Sequence, residues 1–70
     1  MAELRAEMAA NVWKVLVTDG DAVTAGQTLV ILESMKMEIN VDAEVAGTVT
    51  VSVAEGEAID EGALIATIAS

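Results

Sequence analysis

A lysine between two methionines is the part of this sequence best suited to chemistry. Residues 33–38 read Glu-Ser-Met-Lys-Met-Glu, so Lys36 carries a primary amine between the thioethers of Met35 and Met37. A lysine amine is protonated at neutral pH, and it attacks a carboxyl group only after a base removes the proton and the carboxyl is activated. Lys36 is therefore predicted to be the substrate of a modifying enzyme and not a self-activating nucleophile.

The scarcity of lysine strengthens this interpretation. Only Lys14 and Lys36 are present, and Lys14 lies opposite the apolar side chains of an alternating segment, where a surface charge is ordinary. Lys36 instead occupies what should be a tight turn, yet residues 35–37 contain no Gly, Asn or Asp, which such turns prefer. Sequences that break turn chemistry at one place usually do so at a functional site. The alternative is that Met35 and Met37 belong to the core and that Lys36 is one solvated charge.

Alternating β-branched residues predict that strands position this turn. The clearest segment is residues 48–53, Thr-Val-Thr-Val-Ser-Val, which alternates polar and apolar side chains as a half-buried strand does. No long window carries the apolar stripe of a helix, and glycine-containing turns separate the segments. The predicted strands are residues 4–8, 12–18, 28–34, 38–42, 48–53 and 64–69.

An internal repeat predicts how the strands are arranged. Shifting the chain by 36 residues superimposes Asp19-Gly20-Asp21 on Glu55-Gly56-Glu57 and Gly26 on Gly62. Two copies are too few for a solenoid, so a two-fold sandwich or flattened barrel in which both copies close one core is favoured. The alternation also predicts the inward-facing side chains, which are Trp13, Val15, Val17, Val49, Val51, Val53, Leu64, Ala66 and Ile68. The repeat extends this prediction to Val30 and Leu32, whose own segment is apolar throughout.

Composition disfavours several classes of function. The chain has 70 residues, no Cys, His or Pro, and a formal net charge of -9. These numbers predict one domain, residues 1–70, without zinc ligands or a Ser-His pair, and they disfavour binding to nucleic acid or an anionic membrane. The first residues lack the basic and apolar regions of an export signal, so a cytoplasmic location is expected. The acids of the turns, such as Asp19 and Asp21, are interpreted as solvated charges and not as catalytic or metal-binding groups.

Residues 33–38 resemble the attachment site of biotinyl domains, whose hallmark is a Met-Lys-Met turn preceded by Ala or Ser and, one residue earlier, by an acidic residue. Most of the glycine turns also have the family's spacing, so the resemblance covers nearly all of residues 4–69. It implies an all-β fold, a flattened barrel or sandwich of two four-stranded antiparallel sheets with a pseudo-two-fold internal repeat.

The resemblance implies a carrier that performs no catalysis itself. A biotin protein ligase would join biotin to the lysine, and the cofactor would then move carboxylate from a biotin carboxylase to a carboxyltransferase. The chain alone is expected to be a monomer that binds no metal, no nucleic acid and no membrane. The implied site consists of the attachment residue Lys36, the recognised methionines Met35 and Met37, and the turn residues Glu33, Ser34 and Glu38.

The chain departs from the family pattern at a few positions, and two alternatives to a biotin carrier stay open. Ser34 replaces the commoner Ala, and Asn40 stands where many relatives have Pro. There is no linker rich in Ala or Pro and no inserted thumb after Thr18, so the chain resembles free-standing biotin-attachment proteins or an isolated carrier domain. Lipoyl carriage is disfavoured because lipoyl turns typically read Asp-Lys-Ala. The other alternative is an unmodified structural or interaction module.

Overall fold

Eight β-strands and no helix make up the fold. The computed structural model describes residues 1–70. It contains no helix long and apolar enough to cross a membrane. The strands are β1 (Ala2–Arg5), β2 (Ala10–Val15), β3 (Ala22–Val23), β4 (Thr28–Ser34), β5 (Met37–Asp42), β6 (Gly47–Val51), β7 (Ala58–Ile59) and β8 (Leu64–Ala69).

The strands form two sheets of four strands each. Their orders are β1-β8-β6-β3 and β5-β4-β2-β7, and every pair of neighbouring strands is antiparallel. The sheets enclose one cluster of buried side chains, and the molecule measures 33 × 19 × 18 Å along its principal axes. The predicted all-β fold of two four-stranded antiparallel sheets is therefore confirmed.

The strand boundaries follow the predicted segments closely where a long apolar segment follows a glycine turn. Residues 28–34 and 64–69 coincide with β4 and β8, whereas β1 and β2 both begin and end earlier than predicted. β3 and β7 were not predicted, because a strand of two residues is too short to show an alternating pattern.

Equivalent hydrogen bonds link the two halves of the chain. The backbone N–H of Val51 donates to Asp19 Oδ1 at 2.7 Å, and that of the equivalent residue, Val15, donates to Glu55 Oε2 at 2.9 Å. The turn of each half is thereby tied to a strand of the other half. This reciprocity is the relation that a pseudo-two-fold repeat requires.

The core between the sheets is built from aliphatic side chains. Leu64, predicted to face inward, is only half-buried, and the next residue, Ile65, is completely buried instead. The reason is a shift in the register of β1 against β8 between Leu4 and Arg5, which interrupts the simple alternation. The inward positions that are confirmed as buried are Val30, Leu32, Val49, Ala66 and Ile68.

The predicted inward position of Trp13 is wrong. Its side chain is 44% exposed, whereas that of Val12 is 1% exposed. A β-bulge causes the difference, because Val12 and Lys14 pair with successive residues of β4 and one residue of β2 is therefore extra. Beyond the bulge the alternation resumes, and Val15 and Val17 pack against the core as predicted.

The turn at Gly56 provides a test of the turn assignments. Gly56 has a φ of 87°, a left-handed conformation that glycine adopts without steric cost. No heavy atom lies within 4 Å of the position that a Cβ would occupy, so a substitution strains only the backbone. We expect Gly56→Val to lower the free energy of unfolding by about 1–2 kcal/mol. Urea unfolding measures this cost, and a value below about 0.5 kcal/mol would contradict the assigned turn.

Candidate functional site

Lys36 lies at the tip of a two-residue hairpin. β4 and β5 remain paired up to Ser34 and Met37, which leaves Met35 and Lys36 as the turn. Both turn residues have positive φ, 52° and 66°, as the type I′ turns of tight hairpins require. They are the only residues other than glycine with positive φ in the chain. The tight turn expected at this place is present, and side chains rarely found in that conformation occupy it.

The strands beneath the turn hold it in place. β4 lies between β5 and β2, and its Val30 and Leu32 are almost completely buried. Ser34 Oγ donates a hydrogen bond to the carbonyl oxygen of Ala9 at 3.1 Å, which joins the base of the hairpin to the segment before β2. Strained turns persist only where the surroundings over-determine them. The contact of Ser34 was not predicted, because a bond between residues 25 positions apart leaves no local signal in the sequence.

The side chains of the tip are accessible to other proteins. Met35 is 90% exposed and Met37 is 55% exposed, so the alternative that places both in the core is wrong. Lys36 is exposed and forms no salt bridge, because the single ion pair of the chain joins Arg5 to Glu3. The amine of Lys36 is therefore free to enter the active site of another protein.

Two carboxylates lie at the base of the hairpin. Glu33 and Glu38 are directly opposite each other in the register of β4 and β5, and both are exposed. Like charges in opposite positions destabilise a strand pair slightly. The structure thus brings all six residues of the implied site together, on one hairpin: Glu33, Ser34, Met35, Lys36, Met37 and Glu38.

Lys14 has different surroundings from Lys36. It lies within β2, and its Nζ is 5.7 Å from the centre of the Trp13 ring, within the range of a cation–π contact. Its backbone is paired with β4, so it cannot protrude as a turn does. Lys36 is the only lysine that the fold presents on a tip.

The acids of the glycine turns stabilise those turns. Asp21 Oδ2 accepts a hydrogen bond from the N–H of Thr18 at 2.9 Å, and Glu57 Oε1 accepts one from the N–H of Ala54 at 3.0 Å. Such bonds are the ordinary use of acidic residues in turns. No group of three or more acidic side chains is placed to hold a metal ion.

The tip has no enclosed cavity. The nearest concave surface is an open cleft of about 330 Å³ between the base of the hairpin, the segment before β2 and β7, with Ser34, Met35 and Ile59 in its lining. Sites that hold a small molecule without a covalent bond bury most of its surface. The tip therefore has no enclosed site for a small molecule that binds without a covalent bond.

The strain in the turn leads to a prediction for stability. The double variant Met35→Asn/Lys36→Gly places the preferred type I′ sequence at the tip, where neither original side chain packs against the core. We expect the free energy of unfolding to rise by about 1 kcal/mol. Urea unfolding of the double variant and of Lys36→Arg, which keeps a side chain at the strained position, measures the difference in stability. A fall in stability would contradict the strain assigned to the turn.

Residues 2–68 match the biotin/lipoyl family model, which is described as "Biotin-requiring enzyme". This chain belongs to that family. The "Biotinylated protein TB7.3 homolog" of Mycobacterium leprae is 56% identical in an alignment of 70 positions that covers 97% of this chain and 99% of that protein. The "Biotin carboxyl carrier protein" of Streptococcus mutans is 45% identical in an alignment of 65 positions that covers 91% of this chain and 50% of that protein.

Solved structures show the same fold within a much larger family member. The urea carboxylase of Kluyveromyces lactis superimposes with a TM-score of 0.88 at 33% sequence identity, over 97% of this chain and 6% of that one. The family indicated by the sequence of the hairpin is thus confirmed, and the same fold occupies a small part of a large carboxylase.

Proposed function

We propose that residues 1–70 form one biotinyl domain and that Lys36 is its attachment residue. In the modification, Nζ loses a proton and forms an amide bond with the carboxyl carbon of activated biotin, whose activating group leaves. The observation that carries the proposal is the position of this amine, exposed on a protruding and strained turn in a chain of the biotin/lipoyl family. The biotinylated relative of nearly equal length supports it.

The remaining residues of the hairpin have supporting roles in this proposal. Met35 and Met37 are the side chains that a biotin protein ligase recognises, since they flank the amine and are exposed. Ser34 fixes the base of the hairpin through its bond to Ala9. The turn is thus already ordered before it meets the ligase, so little conformational entropy is lost when the complex forms.

The function that we propose is that of a biotin carboxyl carrier. When bound, biotin carries a carboxyl group from a biotin carboxylase to a carboxyltransferase. The sandwich contributes a rigid body that keeps the attachment point clear of its own surface, so that the tip can enter two active sites in turn. The carboxyl carrier and urea carboxylase relatives support this role. The carrier itself is a substrate and catalyses neither step.

Charge indicates what the partner surfaces have in common. The chain has a net charge of -9, and amide formation at Lys36 removes one positive charge, which makes it -10 (-9 - 1). Glu33 and Glu38 place two of the acids at the base of the hairpin. Basic rims around the active sites of the ligase, carboxylase and carboxyltransferase would attract such a monomeric carrier, with rapid exchange between them. A cytoplasmic location stays a prediction from the sequence.

Incorporation by purified ligases tests which group the chain accepts, because the family includes both biotin and lipoyl attachment. The chain is incubated with biotin, ATP and a biotin protein ligase, and in parallel with lipoate, ATP and a lipoate ligase. We expect the intact mass to increase by one biotinyl group in the first reaction only. Addition of lipoate alone would favour the lipoyl alternative, and no addition in either reaction would favour an unmodified interaction module.

A further inference from the structure

All the methionines of the chain lie at the surface, and two of them flank Lys36. Met35 is 90% exposed and Met37 is 55% exposed, compared with 90% for Met1 and 42% for Met8. None of them belongs to the core cluster. The thioethers beside the proposed attachment residue are therefore open to dissolved oxidants, which react with exposed methionine.

Apart from the four methionines, the molecule offers little that the same oxidants can change. The core cluster consists only of Leu, Ala, Val and Ile, and the chain contains no Cys, His, Tyr or Phe. Besides the methionines, the indole of Trp13 is the only side chain that these oxidants attack, and it lies outside the core. Oxidation can therefore alter the tip of the hairpin while the packing that holds the fold together stays intact.

We propose that Met35 and Met37 form a reversible oxidation site that controls the acylation of Lys36, an inference that rests on the proposed function. Hydrogen peroxide is the oxidant: the thioether sulfur takes one oxygen atom, the O–O bond breaks, and water leaves. The product is methionine sulfoxide, which is polar and chiral where the thioether is apolar. Methionine sulfoxide reductases A and B restore the thioether, one for each sulfoxide epimer. A dithiol supplies the two electrons and becomes a disulfide, and the sulfoxide oxygen leaves as water.

A sulfoxide at the tip changes what a modifying enzyme has to bind. An enzyme that acylates Lys36 must enclose the turn, and in doing so it covers the side chains on either side of the amine. Flexible thioethers suit an adaptable apolar surface. On such a surface a sulfoxide oxygen loses its bound water and gains no hydrogen-bond donor in return. The affinity of the enzyme for the turn therefore falls about tenfold or more.

The experiment compares oxidised and untreated chain as acceptors for a biotin protein ligase. Unmodified chain is treated with hydrogen peroxide, the peroxide is removed, and fragment mapping by mass spectrometry confirms the sulfoxides at Met35 and Met37. We expect the initial rate of biotin incorporation to fall about tenfold or more. We also expect the rate to recover after treatment with both reductases and dithiothreitol as the electron donor. The urea unfolding midpoint is expected to stay unchanged, because neither side chain is in the core.

Matched leucine variants locate the effect. Met35→Leu/Met37→Leu is compared with its own untreated sample and is expected to lose its sensitivity to peroxide, whereas Met8→Leu is expected to keep it. An unchanged rate with both sulfoxides present would overturn the inference, as would sensitivity that persists in Met35→Leu/Met37→Leu. Those outcomes leave the proposed function intact. An untreated chain that accepts no biotin would instead refute the proposed function, and this inference with it.

Discussion

Lys36→Arg is expected to abolish biotin incorporation and to leave the fold unchanged. Arginine keeps the positive charge and the length of the turn, but its guanidinium stays protonated in proteins and cannot act as the nucleophile. Lys36 is exposed and forms no salt bridge, so its replacement removes no contact that stabilises the fold. Streptavidin binding and intact mass, after expression with an active biotin ligase, measure the loss. The expected result is the absence of any signal.

The matched control is the same substitution at the other lysine. Lys14→Arg also keeps a positive charge beside Trp13, and it is expected to accept biotin like the original chain. Circular dichroism should give the same spectrum for both variants. A streptavidin signal retained in Lys36→Arg, or lost in Lys14→Arg, would contradict the assignment of the attachment residue.

Gly47→Ala is expected to cause the largest loss of stability among single methyl additions at the glycines. A Cβ at Gly47 would meet the backbone of β8, namely the carbonyl oxygen of Ala69 and, at 2.9 Å, its carbonyl carbon, with Ile68 Cγ2 at 2.8 Å. A clash with backbone cannot be relieved by a change of rotamer, so β6 and β8 would have to separate. We expect a loss of about 3 kcal/mol, a large part of the stability of so small a core.

Gly56→Ala serves as the control for this prediction, because nothing lies within 4 Å of its new methyl group. Its cost is the backbone strain alone, about 1–2 kcal/mol. Urea unfolding of both variants measures the difference directly. A loss at Gly47 no larger than that at Gly56 would show that β6 and β8 are not packed as closely as described.

The hairpin and its supports differ in how much the sequence reveals about them. The turn at Met35 and Lys36 was predictable because a break between two strand patterns, without turn residues, is a local signal. The bounds of β4 and β8 were equally readable, since each is a long apolar segment with glycine turns before it. The internal repeat also predicted how the two halves of the chain are arranged, because acidic and glycine positions recur at one spacing.

Features that depend on pairing between distant strands were not readable. Trp13 was placed in the core because an alternating pattern contains no sign of the bulge that turns it outward. Leu64 was misplaced for a similar reason at the register shift of β1. The bond from Ser34 to Ala9 depends on how β4 lies beside β2, which no local pattern encodes. These are effects of register, and register is decided by the sheet as a whole.

The cost of the hairpin tip in stability fits its proposed role. Two side chains are held at positive φ, two apolar side chains stay exposed, and two carboxylates oppose each other across the strands. Each of these arrangements lowers stability compared with an ordinary turn. Such features are expected where another protein must recognise the turn. The other positive-φ positions of the chain are all glycines, which adopt this conformation without strain.

Fragment mapping of the chain isolated from cells with an active biotin ligase tests the central claim most directly. The isolated protein is digested, and the residue that carries the added group is located by tandem mass spectrometry. We expect one biotinyl group per chain, on the peptide that contains Met35, Lys36 and Met37, with the amide at Lys36 and with Lys14 unmodified. Biotin on Lys14, or an unmodified Lys36 in chain that ligase and biotin have reached, would contradict it.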